Sequence, residues 1–246
     1  MLSFFKSKTK LPEIDFSSLG TDIHSHIIPG IDDGSRNVAE SIELLCVLKE
    51  LGFNRIITTP HVMVDYFRNT PETILTGLNI LKEELKKQRI DIQVEAAAEY
   101  YFDEDFENKL EAGNLLTIGD NYLLFELSFS NYPINLFQVI EKMTDRGLKP
   151  ILAHPERYAY LHGSVNNYRR IKEAGCCLQL NTISLTGYYG KPVQKAAEEL
   201  VDHMLIDFIG SDMHHLKHAN ALKASLSQPY LHRLLTDYPL QNQTLL

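Results

Sequence analysis

The 246-residue sequence is poor in cysteine, has no long apolar run and carries no excess of basic charge. Its three cysteines are an odd number for a chain of this size, which argues against a disulfide framework and favours a reducing, cytoplasmic compartment. No stretch approaches the roughly 18–20 apolar residues of a membrane span, and the first residues lack the apolar centre of a signal peptide. We therefore expect no stable membrane insertion and no export by that route.

The formal charge sums to -8 with neutral histidine, and no basic block interrupts it. Because binding to nucleic acid requires clustered Lys and Arg, this charge argues against nucleic acid as a partner. Three catalytic motifs are absent as well: the cysteine–arginine spacing of cysteine phosphatases, a glycine-rich loop with Walker spacing, and a Gly-x-Ser-x-Gly elbow. The sequence therefore offers no support for a thiol or serine nucleophile of these types.

Short apolar runs that alternate with helical-period segments predict repeated strand–helix units around a mainly parallel sheet. Seven units without a Pro/Gly/Ser-rich linker predict an α/β barrel close to the eight-fold type, in one domain over residues 21–246 after an N-terminal extension over residues 1–20. The predicted strands span residues 21–27, 55–59, 90–97, 122–127, 150–153, 177–181 and 205–209. The predicted helices span residues 37–51, 70–87, 103–110, 135–146, 167–174 and 192–203, with one or two more from residue 218.

Two histidines lie two residues apart in the first predicted strand, in the sequence His24-Ser-His26. Because side chains alternate along a strand, both imidazoles lie on the same face and could bind one metal ion. Taken alone, the pair is equally consistent with hydrogen-bonded histidines that bind no metal.

Further histidines and carboxylates follow the other predicted strands. In a parallel strand–helix fold the carboxyl ends of all strands open on one rim, so side chains that follow the strands converge there. We therefore expect nine candidate metal ligands at one site: His24, His26, Asp33, His61, Glu99, Glu126, His154, Asp212 and His214.

Five imidazoles and four carboxylates without a thiolate favour Zn²⁺, Mn²⁺ or Fe²⁺ over Ca²⁺ and Mg²⁺. Nine candidates exceed the needs of one ion, so we expect two or three divalent ions, an arrangement used in phosphoester hydrolysis. Three such ions against four carboxylates and one hydroxide would leave the pocket with roughly +1 charge. In the sequence His154-Pro-Glu-Arg157 a guanidinium follows a candidate ligand and could bind phosphate, although a surface ion pair with Glu156 or an aspartate is an alternative role.

At these residues the sequence resembles the polymerase and histidinol phosphatase (PHP) superfamily, and within it the manganese-dependent bacterial protein-tyrosine phosphatases of the CpsB/YwqE type. The similarity runs from about residue 21 to residue 240. The motifs that carry it are Asp22-Ile-His-Ser-His26, Asp32-Asp-Gly34, Thr59-Pro-His61, Ala98-Glu-Tyr100, Phe125-Glu126, Ala153-His-Pro-Glu-Arg157 and Ser211-Asp-Met-His214.

The resemblance implies a distorted (β/α)7 barrel with a trinuclear site, in which the nine candidates bind metal and Arg157 binds phosphate. It implies Mn²⁺ as the metal, with Fe, Co or Zn as alternatives. It also implies a phosphotyrosine protein as partner, the tail of a membrane-associated tyrosine autokinase that controls capsule or exopolysaccharide synthesis.

The expected reaction is attack of a metal-bridging hydroxide on phosphorus, with Arg157 neutralising the phosphoryl oxygens and His214 or a metal-bound water as proton donor. Two alternatives stay open: a small-molecule phosphatase acting on a substrate such as histidinol phosphate, and a non-catalytic, metal-stabilised module that binds phosphopeptides. The sequence also departs from some relatives, which have a second arginine after the last Asp-x-His, where this chain has Lys217 and His218.

Overall fold

Parallel strands that alternate with helices make up the part of the chain that the computed structural model describes, residues 12–245. Residues 1–11 of the predicted N-terminal extension, and residue 246, lie outside the described residues. The strands are β1 (Thr21–Asp22), β2 (Arg55–Thr58), β3 (His61–Val62), β4 (Gln93–Ala96), β5 (Glu99–Tyr101), β6 (Tyr122–Glu126), β7 (Lys149–Ala153), β8 (Cys177–Asn181) and β9 (Phe208–Gly210). The helices are α1 (Val38–Glu50), α2 (Pro71–Gln88), α3 (Phe106–Ala112), α4 (Leu136–Asp145), α5 (Val165–Glu173), α6 (Lys191–Asp202), α7 (Leu216–Ser225) and α8 (Pro229–Thr236).

These strands form two sheets, one of three strands in the order β1-β2-β4 and one of six in the order β3-β5-β6-β7-β8-β9. Every pair of neighbouring strands in both sheets is parallel. This mixed α/β architecture confirms the fold class that the alternation of strands and helices predicts.

The second and third predicted strands correspond to β2 and β4, and each is followed by a further short strand that lies beyond the predicted range, β3 and β5. Pro60 separates β2 from β3 because proline has no N–H to donate to the ladder. The segment β2–β3 nevertheless stays in register with the segment β4–β5 across the break, since Ala97 N–H donates to Thr58 O and Glu99 N–H donates to Pro60 O. His61 and Glu99 are therefore register partners, side by side.

The first strand is shorter than the predicted range 21–27, and only β1 forms a regular ladder. Threonine side chains replace ladder partners beyond it: Thr58 Oγ1 donates to Ser25 O at 2.8 Å, and Thr59 Oγ1 accepts from Ser25 N–H at 3.2 Å. Ser25 also forms an isolated parallel bridge with Met213, which follows β9. The first segment is thereby tied to both β2 and the chain beyond β9.

Local capping explains where the first two helices begin. Asn37 precedes α1, and its side chain accepts a hydrogen bond from Glu40 N–H at 3.0 Å. Thr70 and Thr73 form a reciprocal capping box at the start of α2, where Pro71 takes the first helical position. Both caps satisfy backbone donors that have no partner inside the helix.

The strands bury two faces of different size. On the helix-facing side, residues such as Phe125, Leu152 and Leu178 join one large apolar core with the helices. Along the opposite face of the same strands, Leu124 is followed two residues later by Glu126, and Ala97 by Glu99, so this face changes from apolar to charged toward the carboxyl ends. A small cluster fills its apolar part and consists of Ile23, Ile57, Ala97, Ile118, Leu124, Ile151, Ala153, Phe208 and Leu245.

Part of the predicted N-terminal extension packs on the core. Phe16 is fully buried and stacks on Phe53, with 4.7 Å between ring centroids, and its N–H donates to Leu51 O at 2.8 Å. Across residues 12–245, no helix combines the length and apolarity that crossing a membrane requires.

Candidate metal centre

The structure brings all nine predicted metal-binding side chains together, because each belongs to a group of closely spaced donor atoms. The groups lie at the base of a pocket of about 450 Å³ at the carboxyl ends of the strands. His24 and His26 are fully buried, and Glu99 and Asp212 are nearly so, whereas the side chain of Asp33 is 54% exposed. The convergence that the strand pattern predicted is therefore present.

The first group consists of His24, His26, Glu99 and Asp212. His24 Nε2 lies 3.2 Å from Glu99 Oε2 and 3.4 Å from Asp212 Oδ1. His26 Nε2 lies 3.3 and 3.5 Å from the same two oxygens and 3.3 Å from His24 Nε2. In a tetrahedral site with metal–ligand bonds of roughly 2.0–2.1 Å, neighbouring ligand atoms lie roughly 3.3–3.4 Å apart. The two imidazole nitrogens therefore have ligand-like spacings to each other and to each of the two carboxylate oxygens.

The second group adds His61, Glu126 and His154 around Glu99. His154 Nε2 lies 3.4 Å from Glu99 Oε1 and 3.4 Å from Glu126 Oε1. His61 Nδ1 lies 3.2 Å from Glu99 Oε2 and 3.9 Å from Glu126 Oε2. Glu99 contributes to both groups, so its carboxylate could bridge two ions.

The third group lies nearest to solvent and includes Asp33, His61 and His214, with His26 behind them. Asp33 Oδ1 lies 3.4 Å from His214 Nε2 and 3.6 Å from His61 Nε2. The rings of His26 and His214 stack with centroids 4.0 Å apart. Because the three groups share residues, they could hold two or three ions close together.

Hydrogen bonds behind the groups set the tautomers of the two strand histidines. His24 Nδ1 lies 2.8 Å from Gln179 Oε1, and His26 Nδ1 lies 2.9 Å from Asp32 Oδ2. The amide orientation of Gln179 is fixed because its Nε2 donates to Leu180 O at 2.7 Å. Both oxygens can only accept, so each Nδ1 carries the proton and each Nε2 presents a lone pair to the first group.

The buried carboxylate of Glu99 has no hydrogen-bond donor for either oxygen among residues 12–245. Burying an ionised carboxylate without donors costs several kcal/mol. Cations between the groups would compensate this charge, and nitrogen and oxygen donors of this kind suit Mn²⁺, Fe²⁺ and Zn²⁺. The side chains present thus fit a metal centre.

The pKa shifts of Glu126, His24 and His154 support the same conclusion. Burial, together with the neighbouring carboxylate of Glu99, raises the pKa of Glu126 well above its usual value. Although burial alone would lower it, the pKa of His24 is raised to about 9, chiefly by Glu99. A proton gained by His24 would occupy Nε2, the position that a cation would take. Burial and the nearby guanidinium of Arg157 instead lower the pKa of His154 to about 4, so that this imidazole is neutral.

Two of the nine residues have backbone angles that are rare for side chains other than glycine. His154, after β7, has φ of 33°, and Asp212, after β9, has φ of 50°. Such left-handed conformations cost roughly 1–3 kcal/mol and are typical of functional positions. The fold accepts this strain at two points where the chain leaves a strand and enters the pocket.

Two glycines allow the chain to approach the strand histidines closely. A Cβ atom on Gly34 would lie 2.0 Å from the carbonyl oxygen of His26, and one on Gly210 would lie 2.7 Å from His24 Cβ. The loop that carries Asp33 and the end of β9 can therefore reach the histidines only without a side chain at these positions.

Arg157 lies at the edge of the centre, as predicted. Its Nη1 donates to Asp212 Oδ2 at 3.1 Å, and its side chain remains 22% exposed at the pocket. Its guanidinium carbon lies 4.7 Å from the ring centroid of Phe129 and 4.3 Å from that of Tyr189. Glu156, the alternative ion-pair partner, instead turns away and accepts from Asn181 N–H at 3.0 Å.

Sequence reasoning assigned no role to several residues that support the centre. Asp32 belongs to the Asp32-Asp-Gly34 motif without a predicted role, yet its carboxylate accepts hydrogen bonds from both His26 Nδ1 and the backbone N–H of His61. Gln179 holds His24, and Asn181 Nδ2 donates to Asp212 Oδ2 at 2.7 Å. The available signal was the presence of two amides, two residues apart, in the otherwise apolar strand β8.

Lys217 and His218, the residues noted after the last Asp-x-His, differ in their surroundings. His218 lines the pocket, and its Nδ1 donates to the carbonyl oxygen of Asp212 at 3.0 Å. Lys217 is exposed and does not line the pocket. Only His218 is therefore placed to contact a ligand there.

The cysteines take no part in the pocket. Burial raises the pKa of Cys177 to about 11 and that of Cys176 well above its usual value. Neither thiol is a thiolate near neutral pH, which agrees with the absence of a cysteine-phosphatase motif.

The family model described as "Capsular polysaccharide synthesis, CpsB/CapC" matches residues 20–233. The chain belongs to the CpsB/CapC family. This confirms the family resemblance drawn from the motifs.

Individual members of the CpsB/CapC family agree over most of the chain. Tyrosine-protein phosphatase YwqE of Bacillus subtilis is 32% identical over 200 residues, which cover 81% of this chain and 79% of YwqE. Tyrosine-protein phosphatase CpsB of Streptococcus pneumoniae is 30% identical over 201 residues, covering 79% and 83%. Crystal structures of these two proteins are described as those of "unique metal-dependent tyrosine phosphatases"; the matching chain has a TM-score of 0.76 at 28% identity, covering 89% of this chain and 96% of the other.

Proposed function

We propose that this protein is a metal-dependent protein-tyrosine phosphatase that acts in capsule or exopolysaccharide synthesis. The observation that carries the proposal is the set of three overlapping groups of donor atoms, with ligand-like spacings of 3.2–3.5 Å in the first group, beside the guanidinium of Arg157. Membership of the CpsB/CapC family and the metal-dependent tyrosine phosphatases among its relatives support it.

The metal centre would hold two or three divalent ions, with Mn²⁺ as the proposed metal. When bound, these ions would provide a nucleophile from water at neutral pH and would withdraw charge from the phosphoryl group. The residues proposed to hold them are His24, His26, Asp33, His61, Glu99, Glu126, His154, Asp212 and His214.

Arg157 would bind and orient the phosphate group. Asp212 holds one of its N–H groups, and the other edges of the planar guanidinium can donate to phosphoryl oxygens as charge increases on them. A substrate phosphate would therefore be positioned between Arg157 and the donor groups.

His214 serves this mechanism as a metal-binding residue rather than as an acid. Its Nδ1 donates to the carbonyl oxygen of Asp212 at 2.9 Å, which leaves one lone pair on Nε2. A metal ion and a proton cannot share that lone pair. A phenol with a pKa of ~10 is a good enough leaving group to take its proton from water.

We also infer that the two sheets close into a distorted (β/α)7 barrel and that residues 21–246 form one domain. The bridge from Ser25 to Met213 and the hydrogen bond from Asp212 N–H to His24 O, at 2.8 Å, support closure, because they join the first strand segment to the chain after β9. In such a barrel the metal centre would lie at the carboxyl mouth.

The proposed partner is a phosphotyrosine-bearing protein, namely a membrane-associated tyrosine kinase that controls polysaccharide synthesis, and the proposed compartment is the cytoplasm. Family membership and the tyrosine phosphatases among the relatives support the phosphotyrosine-bearing partner, and the odd number of cysteines supports the compartment. The recessed position of the metal centre, with Glu99 and Asp212 buried at its base, supports a long phosphorylated side chain as substrate.

Elemental analysis of freshly purified protein, combined with phosphate release from a phosphotyrosine peptide, tests the function. We expect two or three metal ions per chain, activity that is lost with EDTA, and greatest recovery with Mn²⁺ among Mn, Fe, Co and Zn. A strong preference for histidinol phosphate over the peptide would overturn the protein substrate. Peptide binding without phosphate release would instead indicate a non-catalytic binding module.

A further inference from the structure

The walls of the pocket differ in chemistry from its base. The base consists of imidazoles and carboxylates, whereas Phe129, Tyr189, Phe67, Tyr101 and Met63 line the sides. A phosphate at the base would therefore place its ester group between apolar and aromatic side chains.

Phe129 is the wall residue with the most exposed ring surface next to Arg157. It is 44% exposed, although large apolar side chains are usually buried. Its ring lies 4.7 Å from the guanidinium carbon of Arg157 and stacks on His154, with 5.8 Å between centroids and 21° between planes. Phe129 thus contacts both the phosphate-binding residue and a residue of the metal centre while keeping part of its ring free.

The ring of Phe129 is also held in place from behind. Its centroid lies 5.5 Å from that of Tyr158, which is fully buried and whose hydroxyl donates to Ala153 O at 3.1 Å. Tyr158 in turn stacks on Tyr160 at 5.6 Å with an angle of 8°. This aromatic column fixes Phe129 before a ligand binds.

A second lining residue has a similar arrangement. Phe67 stacks on His61 with 5.5 Å between centroids and an angle of 10°. Two imidazoles of the metal centre therefore each support an aromatic residue that lines the pocket, His154 with Phe129 and His61 with Phe67. A flat ring attached to a phosphate at the base would find aromatic side chains in the lining, which favour offset or edge-to-face contacts.

We propose that Phe129 binds the aromatic ring of the substrate and is the residue that makes the site prefer aryl phosphates over alkyl phosphates. The proposal rests on the phosphatase function proposed above and assigns its specificity to a wall residue outside the metal centre. An aromatic contact of ordinary strength corresponds to a preference of roughly 2- to 12-fold.

Binding of two phosphonates to the metal-loaded protein tests this proposal by isothermal titration calorimetry. Phenylphosphonate and methylphosphonate present the same acidic group, differ in the ring, and are not cleaved as phosphate esters are. We expect the wild-type protein to bind phenylphosphonate more tightly and Phe129→Ala to lower this ratio roughly 2- to 12-fold. Ile134→Ala, at a 98% exposed apolar residue of the same loop that does not line the pocket, is expected to keep the wild-type ratio.

Phe129→Leu separates ring binding from support of Arg157, because leucine keeps an apolar cover over the guanidinium. We expect this variant to bind methylphosphonate as the wild type does while losing part of the preference for the phenyl ring. An unchanged ratio in Phe129→Ala, an equal loss of affinity for both phosphonates in both variants, or a wild type without preference would each overturn the proposal. A metal-loaded protein that prefers phenylphosphonate but releases no phosphate from phosphotyrosine would contradict the proposed function and leave the assignment of Phe129 intact.

Discussion

The two ends of the same strand face are stabilised in opposite ways. Toward the amino ends, Leu124, Ile151 and Phe208 pack into an apolar cluster that satisfies itself by burial alone. Two residues beyond Leu124, the same face carries Glu126, next to the buried carboxylate of Glu99, which has no hydrogen-bond donor among residues 12–245. The first end is stabilised by burial of apolar side chains, whereas the second would need bound cations to balance its charge.

The largest effect is expected at Asp212, in the charged end of this face. Asp212→Asn removes a charge from the first group and from Arg157, while asparagine accepts the left-handed backbone at this position. We expect phosphotyrosine turnover to fall at least about 1,000-fold, equal to about 4 kcal/mol, with the fold retained. Phosphate release and circular dichroism measure the two effects, with the exposed Asp91→Asn as a control expected to match the wild type. Near-normal turnover in Asp212→Asn would remove this residue from the centre.

Phe208 tests the apolar end. Its ring is fully buried and meets Tyr122 edge-on with 5.3 Å between centroids. We expect Phe208→Ala to lower the free energy of unfolding by about 3–4 kcal/mol, because it leaves a cavity among side chains that cannot fully collapse. Urea unfolding measures this value. A loss below about 1 kcal/mol would mean that the cluster repacks around the missing ring and leaves no such cavity.

Removal of the metal is expected to destabilise the charged end without affecting the apolar end. With ions present at a hundred times their dissociation constant, the loss of each ion to EDTA is expected to lower the free energy of unfolding by about 2.7 kcal/mol. The same decrease is expected in Phe208→Ala, since separate sites contribute additively. Thermal unfolding with and without EDTA provides the measurement. If EDTA leaves the melting temperature of both the wild type and Phe208→Ala unchanged, the charged end is stable without metal.

Gln179 is expected to have the smallest of these effects. In Gln179→Leu, His24 loses the acceptor that keeps the proton on Nδ1, so metal affinity should fall roughly 10- to 100-fold. Titration of the stripped protein with Mn²⁺ measures this change. Gln88→Leu, on the exposed surface of α2, serves as the matched control. Equal affinities in the two variants would show that Gln179 does not orient the histidine.

Strand alternation carried most of the fold prediction. The helices begin close to their predicted positions because caps such as Asn37 and Thr70 are local signals. The short strands β3 and β5, beyond Pro60 and Ala97, were not predicted, since the continuation of a ladder depends on the neighbouring strand. The first strand was likewise shortened by threonine side chains that arrive from β2.

The candidate site was predictable to the extent that its residues follow strands. His24 and His26 were identified because side chains two residues apart in a strand lie on the same face, and the other candidates because they follow predicted strands. Residues that act through these ligands were harder to find, because nothing in the local sequence of Gln179 states that His24 will lie above it. The left-handed backbone at Asp212 is equally a product of the tertiary fold.

The packing of Arg157 has a consequence for the entropy of binding. The ring centroids of Phe129 and Tyr189 lie 4.7 and 4.3 Å from its guanidinium carbon, and Asp212 holds one of its N–H groups. A free arginine would lose roughly 0.5–1.5 kcal/mol of rotamer freedom when it captures a ligand. Here that freedom is already lost on folding, so an arriving anion meets donors that no longer have to be immobilised.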